Sequence, residues 1–204
     1  MYRGHGVPVA LSVALAACVP AGTGGTGTRA LAVAGGAVTV AGPRGYCIDR
    51  SASRDGASGA FVLMGSCASL TGSRAAGLPE RPAILTASVG AAGAEPDLAV
   101  ALPGLAQFFQ SRAGRAALSR TGQAETVTVE RVSAAGDVLY IRLSDSAEGH
   151  GVEPAYWRAV MVVADRIVTL SVLSPTQDPL GSAEQRAVLE QFVARMRAAN
   201  PSAT

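Results

Sequence analysis

One short segment of the chain collects side chains that could perform acid–base chemistry. It runs from Asp145 to Pro154, holds His150 between two glycines, and carries the acids Asp145, Glu148 and Glu153. A histidine beside carboxylates can act as a general base in hydrolysis, because its ordinary pKa lies near neutrality. The segment is therefore a candidate ligand loop, and a solvated connection between two strands is the alternative interpretation.

The rest of the sequence offers little to complete a catalytic centre. The chain has no lysine, which excludes Ser-Lys catalysis, and no G-x-S-x-G segment that precedes a helix. A zinc site needs several Cys, His or carboxylate ligands, and His150 is the one histidine outside the N-terminal region. We therefore expect no metal, no cofactor and no enzymatic activity. A small periplasmic hydrolase that uses His150 is the alternative.

The N-terminal region has the layout of an export signal. Arg3 precedes an apolar run at 7–17, which is too short to span a membrane and leads into the tetrad Leu-Ala-Ala-Cys at 15–18. This tetrad resembles the lipobox of bacterial lipoproteins, in which the cysteine is acylated at sulfur and becomes the new N-terminus. The resemblance implies that residues 1–17 are a signal peptide and that Cys18 is lipidated, anchoring the protein to a membrane.

The residues after Cys18 indicate where the anchor would place the protein. In lipoproteins of two-membrane bacteria, an Asp after the cysteine tends to hold the protein at the inner membrane. Val19 stands there in this chain, so the resemblance implies the outer membrane, facing the periplasm. Glycine and threonine dominate the segment after Ala21, so residues 18–29 are predicted to be the lipidated cysteine and a flexible tether. Ordinary signal cleavage after Ala21, which would discard Cys18, is the alternative.

Cys47 and Cys67 remain as an even pair if Cys18 carries lipid. Exported proteins fold in an oxidising compartment, so this pair is predicted to form a disulfide. Closing a loop of about 20 residues would stabilise the fold by roughly 3 kcal/mol. The pair is not a C-x-x-C motif, and no histidine or lysine lies nearby to lower a thiol pKa, which argues against a thiol oxidoreductase. Two buried free thiols are the alternative.

The composition indicates a single folded domain without a nucleic-acid partner. The chain has 204 residues, of which 49% are hydrophobic and 16% charged, and this is too apolar for a disordered protein. The formal net charge of +2 is small, and the arginines are spread among acids rather than gathered in one basic stripe. We therefore predict one domain over residues 30–200 and no binding to nucleic acid.

The hydrophobic pattern predicts strands, a helix, two hairpins and a final helix. Alternation and turn residues place the hairpin strands at 125–132, 138–143, 156–163 and 167–173. Earlier strands are predicted at 31–40, 46–49, 60–64 and 83–89, with helices at 102–119 and from Ser182 onward. The apolar run at 60–64 is typical of a strand buried on both faces, and residues 51–58 are predicted to be a loop or one helical turn. Ser182 and Gln185 have the spacing of a capping box, and the last helix carries an apolar stripe that predicts packing on the sheet.

Tyr156 and Trp157 are interpreted as packing residues, with a ligand platform as the alternative.

This order of elements predicts an α+β fold with an antiparallel sheet of about six or seven strands and two main helices packed on it. Residues 96–199 resemble in pattern the PsbP-like and DcrB-like envelope proteins, whose antiparallel sheet is flanked by helices. The segment Gly-Tyr-Cys-Ile-Asp at 45–49 and the Phe61 strand with Cys67 resemble uncharacterised alphaproteobacterial lipoproteins. The first resemblance implies a PsbP-like sandwich and a non-catalytic role in binding or scaffolding another envelope component, such as an envelope protein, and it supplies no functional residue. The second implies an address in the cell envelope and no activity.

Overall fold

The chain forms a large antiparallel sheet with helices on both faces and a small separate hairpin. The computed structural model describes Met1 and residues 27–93, 98–147, 149 and 151–201. The strands are β1 (Ala30–Val33), β2 (Val38–Ala41), β3 (Tyr46–Gly56), β4 (Gly59–Ser66), β5 (Ile84–Ala92), β6 (Val127–Ala135), β7 (Val138–Asp145), β8 (Ala155–Val163) and β9 (Arg166–Leu173). The helices are α1 (Cys67–Thr71), α2 (Leu98–Gln110), α3 (Arg112–Leu118) and α4 (Ser182–Ala199).

Two meanders meet at the centre of the large sheet. Its seven strands lie in the order β3-β4-β5-β9-β8-β7-β6, and all neighbours are antiparallel. The strands β1 and β2 pair separately. The predicted α+β class, the antiparallel sheet and both hairpins are confirmed. Since β5 lies beside β9, the chain must cross a face of the sheet to reach β6 at the edge, and α2 and α3 lie in that connection.

The helix α4 covers one face of the sheet. It buries Val188, Leu189, Phe192, Val193 and Met196, each at most 6% exposed, against inward side chains of the central strands. These residues recur at helical spacing, so the predicted apolar stripe is confirmed. Neither α4 nor another helix in the described part of the chain is both long and apolar enough to cross a membrane.

The start of α4 differs from the prediction. Gly181, not Ser182, is the N-cap residue, and its backbone N–H donates to the Glu184 carboxylate at 2.9 Å. The Ser182 hydroxyl instead accepts a hydrogen bond from the indole N–H of Trp157 at 3.0 Å. Gln185 is 2% exposed and bonds to a guanidinium of β7 at 2.7 Å. Both polar side chains therefore fasten the helix to the sheet, and Trp157 is a packing residue of the core.

The opposite face of the sheet is covered in part. There α2 and α3 lie over β6, β7 and β8, where Phe109 and Leu118 pack on apolar side chains of β7. Gly114 of α3 approaches the Phe108 backbone of α2 so closely that a Cβ would overlap it, so a glycine is needed at this elbow. In the structure as described, β9, β5 and most of β4 carry no helix on this face, and α1 lies only over the end of β4, where Leu70 faces Gly65. The uncovered area starts at the end of α3.

Two early predictions are wrong because the turns were misread. The predicted strand at 31–40 is a hairpin, since Gly35 and Gly36 take positive φ values of 69° and 88° and turn the chain. Residues 51–58, predicted to be a loop or one helical turn, belong largely to β3, which continues to Gly56 past an irregularity in its pairing with β4.

Two further predictions are wrong. One missed a break in a helix, and the other misjudged how deeply a strand is buried. The single helix predicted at 102–119 is α2 followed by α3, and Ser111 caps α3 by accepting from the Gly114 backbone N–H at 3.1 Å. The strand predicted at 60–64 was expected to be buried on both faces. In β4 buried and half-buried residues alternate instead, because one face joins the core cluster that also contains the β1–β2 hairpin and α4, while the other is open apart from its end, where α1 lies.

Candidate functional site

The candidate ligand loop is fastened to its neighbours where the structure describes it. Val152 pairs with the segment after β9, and the Glu153 backbone N–H donates to the Ser174 carbonyl at 2.8 Å. These bonds extend the pairing of β8 with β9 beyond the ends of the two strands. Glu148 and His150 lie outside the described residues, so the hydrolase hypothesis built on His150 stays a prediction.

Asp145, the first acid of that loop, is engaged with Arg120. Its side chain is fully buried, and its carboxylate accepts from the backbone N–H groups of Arg120 at 2.7 Å and Ala147 at 3.0 Å. The Arg120 Nε lies 3.4 Å from the same carboxylate, and the guanidinium also donates to the Asp145 carbonyl at 2.6 Å. Burial raises the pKa of Asp145, but these hydrogen bonds and the Arg120 charge outweigh it and leave the pKa below its ordinary value. The carboxylate is ionised at neutral pH and shared with structural donors.

The two predicted bridge cysteines come together, whereas Cys18 falls on residues that are not described. A disulfide joins Cys47 in β3 to Cys67 at the start of α1, with the Cα atoms 4.7 Å apart. Both residues are at most 1% exposed and pack with Ala76. The bridge is thus a structural element of the sheet's edge, and lipidation of Cys18 stays a prediction.

A groove of about 420 Å³ lies where α3 ends and the uncovered sheet begins. We call it the arginine groove, for Arg120 and Arg158. Its other lining side chains are mainly hydroxyl groups, on Thr86, Ser88, Ser119, Thr169 and Ser171, with Tyr156 beside them. No carboxylate or imidazole lines the groove in the described structure. Within the same residues, no group of three His, Cys, Asp or Glu side chains is arranged to hold a metal ion.

Arg158 is held in the groove by neutral partners. Its Nε donates to the Ser171 hydroxyl at 3.1 Å, one terminal nitrogen donates to the Leu118 carbonyl at 3.1 Å, and the other donates to the Tyr156 hydroxyl at 3.3 Å. Each terminal nitrogen carries a second N–H, and no described residue accepts it. None of the ion pairs among the described residues includes Arg158. The guanidinium is therefore oriented while its charge is uncompensated.

Tyr156 supports Arg158 and is not itself an acid or base at neutral pH. The side chain is 1% exposed, its hydroxyl donates to the Leu118 carbonyl at 3.3 Å, and the Arg158 guanidinium lies 5.5 Å from its ring centroid. Burial raises the pKa of the Tyr156 hydroxyl above its ordinary value, so the phenol stays protonated. Its function here is to hold the guanidinium in one orientation.

Sequence reasoning missed this groove, although a signal for it was present. Hydroxyl residues occupy alternate positions of β5, at Thr86 and Ser88, and of β9, at Thr169 and Ser171. The residues between them are apolar and buried, so this alternation indicates one polar face on two adjacent strands. The importance of Arg158 had no comparable signal, because its partners come from β9 and α3.

A larger hollow beside α4 is a weaker candidate for binding a charged ligand. It measures about 620 Å³, and two of its lining side chains, Arg81 and Glu184, form an ion pair at 2.8 Å. The Tyr46 hydroxyl in its wall donates to the Arg81 carbonyl. Arg81 and Glu184 therefore satisfy one another. Arg44, which also lines the hollow, is an exposed surface side chain, whereas three hydrogen bonds hold Arg158 in place.

Comparison with known proteins gives no functional assignment. No protein-family model, no curated protein and no solved structure matches the chain.

Proposed function

We propose that this protein is a lipid-anchored envelope protein that binds an anionic ligand in the arginine groove and catalyses no reaction. The observation that carries the proposal is Arg158, a guanidinium fixed by three neutral partners in a concave site, with free N–H groups and no described acidic partner. An envelope address is supported by the sequence of the first 18 residues.

The geometry favours an anion for an electrostatic reason. A charge that is partly removed from water is destabilised unless an opposite charge or hydrogen bonds compensate it. At Arg158 the partners are a carbonyl and two hydroxyls, which satisfy hydrogen bonds without neutralising the charge. A carboxylate or phosphate could accept from both terminal nitrogens, and such charge-assisted bonds contribute roughly 1.5–3 kcal/mol.

The groove supports binding rather than catalysis. General acid–base catalysis requires a group whose pKa lies near the working pH, within reach of the ligand. The titratable groups of the described lining are two arginines and the protonated Tyr156, and the carboxylate of Asp145 is occupied behind Arg120. None of these groups suits proton transfer at neutral pH.

Binding is tested by titrating the full chain, purified in detergent at low ionic strength, with galacturonate and with inorganic phosphate. Replacing Arg158 by Met should weaken binding of either probe by at least about tenfold, because a charge-assisted contact is lost. Arg195→Met is the matched control. Arg195 is exposed on α4, so this substitution removes the same charge far from the groove. Isothermal titration calorimetry measures the affinity of each variant for both probes. Arg158→Lys should bind with intermediate affinity, because lysine keeps the positive charge but lacks the two terminal nitrogens of a guanidinium.

Equal affinity of wild type and Arg158→Met for both probes would refute the groove as an anion site. So would binding of neither probe to the wild-type protein. Circular dichroism of each variant establishes that loss of binding is not loss of the fold.

The anchor is tested separately by intact mass spectrometry of protein extracted from membranes. We expect a chain that begins at Cys18 and carries acyl groups, and a Cys18→Ala variant that is absent from the membrane fraction. A mature chain that starts after Ala21 without lipid would contradict the anchor and leave the binding proposal untouched.

A further inference from the structure

The arginine groove opens onto an ordered block of hydroxyl groups. The sheet register sets Arg158 opposite Ser171, and Ser171 opposite Thr86, so these side chains form one row across β8, β9 and β5. In the next row Thr169 lies opposite Ser88. All four hydroxyl residues share the face that lacks a covering helix, because side chains alternate between faces along a strand.

The second row ends in an aromatic ring and a cation. Ser88 lies opposite Phe61 of β4, and Phe61 lies opposite Arg54 of β3. The Arg54 guanidinium lies 4.8 Å from the centroid of the Phe61 ring. Arg54 is exposed and belongs to none of the ion pairs among the described residues. A second uncompensated cation thus stands on the same face, across the hydroxyl block from Arg158.

The hollows along this path are continuous. A second depression of about 400 Å³ adjoins the arginine groove and shares Phe61, Ser88 and Thr169 with it, and Arg54 lines its far side. From β8 to β3 the path crosses four inter-strand steps, which corresponds to about 19 Å at roughly 4.8 Å per step. The path is therefore much longer than a single small anion needs.

One acid also faces this area and restricts where an anion can lie. The first row continues from Thr86 to Leu63 of β4 and ends at Asp49 of β3. Hydrogen bonds from Ser51 and Ala52 hold the pKa of Asp49 below its ordinary value. Its charge disfavours an anionic group at that corner. The favourable end positions are therefore Arg158 in the first row and Arg54 in the second.

We infer that the ligand of this site is an extended acidic oligosaccharide, lying across the strands with one anionic group at Arg158 and another at Arg54. The inference rests on the proposed function of the arginine groove. Sugar hydroxyls match the accessible hydroxyls of Thr86, Ser88 and Thr169 as donors and acceptors, while the buried Ser171 holds Arg158. Phe61, beside Arg54, adds an apolar contact. The two cations match acidic groups near both ends of the ligand, and an oligosaccharide of uronic acids carries a carboxylate on each sugar.

The inference is tested by comparing tetragalacturonic acid with galacturonate, using the full chain in detergent. The tetramer should bind at least about tenfold more tightly than the monomer, since it also reaches Arg54. Arg54→Met should remove this advantage and leave monomer binding unchanged, because the monomer needs Arg158 alone. Arg131→Met is the matched control, since Arg131 is an exposed arginine on the opposite edge strand, β6.

Four results would overturn the inference. Equal affinity for monomer and tetramer would remove the second contact while the proposed anion site stands. Equal binding of neutral maltotetraose would show that the cations are not used, and equal binding of a tetraglutamate peptide would show that sugar hydroxyls are not recognised. Absence of binding to tetramer, monomer and phosphate alike would refute the proposed function as well.

Discussion

Replacing Asp145 by Asn is expected to lower the free energy of unfolding by about 3 kcal/mol at pH 7, because breaking one half of a buried ion pair strands the other charge. The Asp145 side chain is fully buried, and that of Arg120 is 20% exposed. The Arg120 Nη1 is buried without an acceptor among the described residues, so this guanidinium depends on the Asp145 carboxylate for compensation. The pair also joins the end of α3 to the end of β7, and loosening it exposes the core beneath Leu118.

Urea unfolding followed by circular dichroism measures the loss, and Asp137→Asn is the matched control. Asp137 pairs with Arg197 at the surface, where the two side chains are 58% and 48% exposed. Solvent screening limits such a pair to less than about 1 kcal/mol. The double variant Arg120→Gln/Asp145→Asn should lose less than the sum of its single variants, since it leaves no unpaired charge. A similar small loss for both Asp→Asn variants would contradict the buried pair.

The same carboxylate makes stability depend on pH in a defined direction. The pKa of Asp145 is lowered in the folded protein, so the unfolded chain binds the proton more tightly at this residue. Its contribution is complete above the unfolded pKa of about 3.9 and is lost as the pH falls through the folded pKa. Wild-type protein should therefore lose more stability than Asp145→Asn on acidification below about pH 4. Parallel stability curves for the two proteins would refute this role.

Patterns confined to one element made most of the fold predictable. The stripe of Leu189 and Phe192 on α4 and the alternation in β6 to β9 recur within a few residues, so they survive any tertiary arrangement. The disulfide between Cys47 and Cys67 followed from an even count and an expected compartment. The predicted ends of strands and helices were wrong where a single glycine or serine sets them. Gly35 turns the chain between β1 and β2, and Ser111 caps the start of α3.

The candidate site was not predictable in the same way, because pairing between distant elements creates it. Arg158 receives its orientation from Leu118, 40 positions earlier, and from Ser171 on the neighbouring strand. The sequence predicted Asp145 only as an acid of the candidate ligand loop, yet its carboxylate accepts from the backbone N–H of Arg120, 25 positions earlier. The local sequence shows neither the burial of the Asp145 side chain nor the partners of Asp145 and Arg158. The exposure of Arg158 on an open half of the sheet depends likewise on where α2 and α3 end.

Removing the disulfide is expected to lower the free energy of unfolding by about 3 kcal/mol, an effect comparable to that of Asp145→Asn. The bridge spans 20 positions and closes the loop that contains β3, β4 and the turn between them. Cutting it frees the unfolded chain, whose conformational entropy then rises. The folded state also loses a fixed link at the sheet's edge, where the Cys67 backbone N–H donates to the Gly45 carbonyl at 2.8 Å.

The prediction is measured by comparing urea unfolding of the wild type with that of Cys47→Ala/Cys67→Ala, each with and without reductant. Reductant should destabilise the wild type once the chain opens, because both sulfurs are buried and protected while it is folded. It should leave the double variant unchanged, which separates the bridge from other effects of the reagent. Arg158 and the groups that hold it lie on β8, on β9 and at the end of α3, whereas the bridge lies at β3 and α1, so the variant should bind galacturonate as the wild type does. Equal stability of oxidised wild type and double variant would mean that the crosslink adds nothing to the fold, and altered galacturonate binding would mean that the two regions are coupled.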